Sequence, residues 1–79
     1  MTEQRQSKIN EILSGISDKK DAGIKFLDWD FFSIIFLTFP GDAFIHMFVV
    51  GNCGTVSVVG LELDEGVFLR DSLIKEGVQ

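Results

Sequence analysis

FFSIIFLTF (residues 31–39), PGD (40–42) and AFIHMFVVG (43–51) are two apolar runs of equal length joined by turn residues. Seven of the eight Phe fall between Phe26 and Phe48. In the first run Phe32, Ile34 and Phe36 alternate with Phe31, Ile35, Leu37 and Phe39, so both sides of an extended strand are apolar. In the second, Phe44, His46, Phe48 and Val50 alternate with Ile45, Met47 and Val49. Pro40 presets φ for the second position of a turn and Gly41 supplies positive φ at the third. The stretch reads as a β-hairpin whose two faces both require cover.

The same window is about as long as a membrane-spanning helix, but Pro40 would break that helix and Asp42 would lie at mid-bilayer. Each run alone is too short to cross as a helix, so a membrane-associated protein is a subordinate reading.

Working outward, Gly51-Asn52-Cys53-Gly54 is a second turn, with glycine and asparagine able to take positive φ. A third strand, residues 55–63, has shorter side chains and a mixed pattern that suits a sheet edge. Upstream, Ile24-Lys25-Phe26-Leu27 begins an extended run. Asp28-Trp29-Asp30 interrupts it, as a bend or a split of the first strand. Residues 1–17 carry Ile9, Ile12, Leu13 and Ile16 at helical spacing, with Thr2 as N-cap and the polar remainder, Arg5 included, facing water. Residues 64–77 form a second helix, with Asp64 as N-cap, Glu65 in its first turn, Lys75 near its end and Gly77 as the stop.

The expected architecture is one α+β domain over residues 1–79, ordered α-β-β-β-α. Its core is a three-stranded antiparallel meander (residues 24–63) with residues 43–50 central, and both helices lie on one face. The bare face would be covered by a second copy in a twofold, sheet-on-sheet dimer. The element order is similar to that of the double-stranded-RNA-binding domain. Where that family clusters lysines at the start of its second helix, this chain has Leu63-Asp64-Glu65-Gly66, so no RNA-contacting residue is carried over.

Charge narrows the function. The chain carries −5 overall, with +1 in residues 1–25 and −6 in residues 26–79. No Lys or Arg occurs between Lys25 and Arg70, so the sheet half lacks the cations that phosphate backbones require, and direct nucleic-acid binding is not expected. One Cys excludes an internal disulfide, and one His with one Cys cannot build a zinc site. Asp28 and Asp30 are too few ligands for Mg²⁺ or Ca²⁺. The polar N-terminus, MTEQRQSKINE, lacks an apolar signal region, and a cytoplasmic protein is expected. Cys53 in the second turn and His46, seven residues back down the preceding strand, are too distant to form a nucleophile–base pair. Neither an enzyme nor a cofactor is expected.

What remains is surplus apolar surface. Residues of apolar type make up 46% of a chain so short that folding buries only ~60% of its unfolded surface. The functional expectation is a non-enzymatic protein–protein interaction module that self-associates through an apolar sheet face. Its anchors would be Trp29 with Phe32, Phe36, Phe44 and Phe48, and its acidic rim Asp28, Asp30, Glu62, Asp64 and Glu65. Trp29 also reads as a core residue under the first helix. A sharper alternative is a small acidic inhibitor occluding a basic, nucleic-acid-binding site on another protein.

Overall fold

The computed structural model describes residues 2–16 and 21–77. Helix α1 (Glu3–Ile16) precedes strands β1 (Gly23–Asp28), β2 (Phe32–Thr38), β3 (Phe44–Gly51) and β4 (Val56–Glu62), and helix α2 (Leu63–Gly77) follows. The strands form one antiparallel meander in the order β1-β2-β3-β4. The expected β2–β3 hairpin sits at its centre. All of Ser33 to Leu37 is buried, which explains why both faces of that strand are apolar.

The sheet has four strands, not three. Asp28-Trp29-Asp30-Phe31 is a hairpin turn rather than a bend: Asp28 pairs with Ser33, and the Trp29 N–H donates to the Phe32 carbonyl at 2.9 Å. The similarity in element order to the double-stranded-RNA-binding domain therefore ends at the first strand. The Pro40-Gly41 turn forms as expected, with Gly41 at φ 81° and Asp42 N–H donating to the Phe39 carbonyl at 3.1 Å. In the last turn Gly54 takes φ 84°; Asn52 does not adopt positive φ.

The helices lie on opposite faces, correcting the expectation of one shared face. Directly paired residues of antiparallel strands point the same way. Ile34 pairs with Val49 and Phe36 with Met47; these, with Leu27 and Ile45, pack against Val67, Leu73 and Ile74 of α2. Ile35 pairs with Phe48, and with Val50 and Val56 these pack against Ile9, Ile12 and Leu13 of α1. Helix α2 comes closest at Gly66, where a Cβ would stand 2.9 Å from the Ile45 Cβ. Each face therefore carries one helix, and the apolar side chains left exposed on the α1 face among the described residues are Ile24, Phe26, Phe44 and Val58.

Thr2 caps α1 as expected, accepting from the Arg5 N–H at 3.2 Å and donating to the Asn52 carbonyl. Ser17, the expected last residue of that helix, lies outside the described residues. Helix α2 begins at Leu63, one residue before Asp64, so Asp64 stands inside the first turn rather than capping it. Arg5 does not face water: it is 1% exposed on the sheet side of α1. It lies four residues before Ile9, on the stripe that continues through Ile12 and Ile16, and that spacing was the available signal.

Candidate interaction surface

The sequence-based anchors divide into two groups at opposite ends of the sheet, plus Phe36 in the core and Phe48 half-buried between the sheet and α1. At one end, the β1–β2 turn presents Trp29 stacked on Phe32, ring centroids 5.0 Å apart and planes at 17°. Trp29 is half-buried against the core on the α2 side, so it is not a residue under α1. Asp30 is exposed, and Phe31 stands 76% exposed at the tip. Asp28 is turned to other work: its Oδ1 accepts from Ser33 Oγ at 2.5 Å and pairs with Arg5 Nη2 at 3.5 Å.

At the other end, Phe44, Glu62 and Asp64 line a shallow depression of about 290 Å³ with Ala43 and Leu63. The Leu63 N–H donates to the Ala43 carbonyl at 3.1 Å, joining the start of α2 to the start of β3. Glu65 is exposed on the first turn of α2. Phe36 is 1% exposed core under α2, and Phe48 is half-buried beneath α1. Phe36 is therefore closed to a partner, whereas Phe48 is closed only in part. The four Phe named as anchors also point to different faces, Phe32 and Phe36 with α2, Phe44 and Phe48 with α1.

The β4 edge is an open apolar feature. From Val56 to Leu61 it carries no charge, no proline and no bulge, and its register with β3 is continuous. Val58 is 59% exposed on the α1 face and Val59 40% exposed on the α2 face. No described strand lies beyond β4, so its outward N–H and C=O groups have no ladder partner. The opposite edge, β1, is shorter and carries Lys25 and Asp28.

His46 and Cys53 stay apart, in β3 and in the turn beyond its far end. His46 Nε2 instead meets Asp42 Oδ2 at 3.2 Å, with the Phe39 ring edge-on at 6.1 Å. The His46 hydrogen bond is the main force holding the Asp42 carboxyl below its ordinary pKa. Partial desolvation opposes it, and the Phe44 and Ala43 backbone N–H groups assist it. The Thr55 hydroxyl similarly lowers the pKa of the exposed Cys53 thiol. Among the described residues no three His, Cys, Asp or Glu gather as metal ligands, and no helix is long and apolar enough to cross a membrane. Compared with known family models, curated proteins and solved structures, the chain matches none.

Proposed function

We propose that this protein is a non-enzymatic interaction module that self-associates by pairing β4 of two copies. The observation that carries the reading is the uncharged, unpaired β4 edge with Val58 and Val59 exposed on its two faces. Folded proteins normally blunt such edges with charge, proline or a bulge; one left open is a template for another strand. A second copy fits because a twofold axis pairs the edge with itself and closes the assembly at two. The acidity of the chain does not oppose the ladder locally, since the first carboxylate on β4 is Glu62 at its end.

Geometry limits the register. Opposed residues of an antiparallel pair share a face, so a twofold axis normal to the sheet must leave one residue opposite its own copy. Centring the pairing on the two exposed valines makes that residue Val58 or Val59. Light scattering across a dilution series is expected to give twice 8.8 kDa. In a Cys53→Ser background, Val58→Cys or Val59→Cys should form a disulfide dimer under oxidation. Mass of one chain at every concentration, or a dimer untouched by Val58→Lys, would overturn the reading.

A second reading has its own support in the β1–β2 tip, where the exposed Phe31 stands beside Asp30 and the Trp29–Phe32 stack. An aromatic anchor with an acidic neighbour suits a partner offering an apolar pocket with a basic rim, as an acidic inhibitor would require.

A further inference from the structure

Lys25 and Arg70 bracket the long stretch without a cation, and the fold brings them to one place. Lys25 leaves β1 on the α2 side of the sheet, since it pairs with Phe36, and α2 carries Arg70 across that face. Both line a cleft of about 200 Å³ whose other walls are Gly23, Ile24, Thr38 and Phe36. None of the described lining residues is acidic, in a chain of net charge −5. Lys25 makes no ion pair among the described residues. Arg70 donates from Nε to Asp71 Oδ1 at 3.4 Å, and its two terminal nitrogens have no partner among the described residues.

Gly23 keeps the cleft open. A Cβ at that position would stand 2.5 Å from Thr38 Oγ1, and the residue does not have positive φ, so its glycine is a matter of space rather than of backbone conformation. The Thr38 hydroxyl makes only a long contact to the Gly23 carbonyl, 3.4 Å, and is available to a third group.

We infer that the cleft between β1 and α2 is a binding site for a small oxyanion, a phosphate or carboxylate group held by Lys25, Arg70 and the Thr38 hydroxyl. Asp71 offsets Arg70 only in part, through Nε, and Lys25 has no counterion among the described residues, so a bound anion gains charge-assisted hydrogen bonds from both cations. The forked guanidinium suits two oxygens of one group, and the lysine supplies a point charge beside it. The volume equals about seven waters at ~30 Å³ each, enough for a tetrahedral oxyanion with residual solvent. The chain's net negative charge does not forbid this. At physiological ionic strength charges beyond ~8 Å are largely screened, so the local cations decide. The site stands independently of β4 pairing.

The test is an amide NMR titration of the full chain with inorganic phosphate and, separately, with glutamate, each at constant ionic strength. Saturable shifts confined to Gly23, Lys25, Thr38 and Arg70 are expected at or below about 10 mM ligand. Lys25→Gln and Arg70→Gln should each weaken binding about tenfold, as loss of a charge-assisted hydrogen bond implies, while Lys8→Gln leaves it unchanged. Lys25 is exposed, so its variant should fold as the parent does, checked by thermal melting. Preference for phosphate or for glutamate assigns the source of the group. Linear shifts spread over all lysines, or binding indifferent to both cleft substitutions, would overturn the inference.

Discussion

Arg5 shows how one residue can tie the first helix to the sheet at an energetic cost. Its side chain is fully buried with Nε and Nη1 unpartnered among the described residues, and Asp28, 44% exposed at the side chain, is its counter-ion. Removing one member of a buried pair leaves an uncompensated charge, whereas replacing the charge with an apolar side chain of similar volume is often neutral. Asp28→Ala should therefore destabilise the fold by about 2–3 kcal/mol, toward the low end for such pairs because Asp28 is partly solvated. Arg5→Met should cost little, and the double variant should recover most of the loss. Denaturant titration of the three variants checks the order; Arg5→Met proving the worst would contradict it. Asp42 makes a second prediction at this scale. Its folded pKa lies below the ordinary 3.8, so its contribution is full above that value and disappears as pH falls through the lowered one. Asp42→Asn should flatten the acid limb of the stability curve between about pH 5 and pH 2 without changing its neutral plateau's slope.

Among the elements, α2 is fixed to the sheet by the absence of a side chain at Gly66. Alanine would normally favour a helix interior by ~1 kcal/mol, but here its Cβ would meet Ile45 Cβ and Cδ1 at 2.9 Å, inside a closed core. The clash should win: Gly66→Ala is expected to destabilise by about 1–3 kcal/mol, and Ile45→Val to relieve part of it when combined, measured by thermal melting. This contact was not legible in the sequence, where Gly66 read only as part of an acidic helix start. The β2–β3 hairpin, its Pro-Gly turn, the α1 stripe and the edge character of β4 were legible, because each is written in local periodicity or turn chemistry. The β1–β2 turn was only half legible: Asp28 and Asp30 mark the break in the strand, but without the Asn-Gly or Gly of a tight hairpin nothing in the stretch distinguished a reversal from a bend. The helix faces were not legible for a different reason. Alternation within a strand fixes which side chains travel together, but which face of the next strand they join depends on register across the turn. That parity separated Phe32 and Phe36 from Phe44 and Phe48, and with them half of the candidate surface.

For the molecule as a whole, net charge separates the two functional readings through one variable. Two copies joined at β4 each carry −5, so their long-range interaction is repulsive while the ladder and the valines that hold them are uncharged. Added salt screens that repulsion, with the Debye length falling from ~10 Å at 0.1 M to ~3 Å at 1 M, and it strengthens apolar burial as well when the anion is sulfate. Self-association should therefore tighten, by a factor of about 2–5 between 0.05 and 0.5 M salt, since surface charge interactions amount to no more than ~1 kcal/mol. An acidic inhibitor engaging a basic partner through Asp30 and Phe31 must behave in the opposite way, losing association rate steeply over the same range because its encounter is electrostatically steered. Sedimentation equilibrium across that salt range reads the first effect directly. A dimer that weakens as salt rises would mean that charged groups, not the β4 ladder, hold the copies together. The rims at Glu62 and Asp64 would then have to find cations on the neighbouring copy, and Lys25 and Arg70, open on the cleft beside β1, are the pair that could supply them.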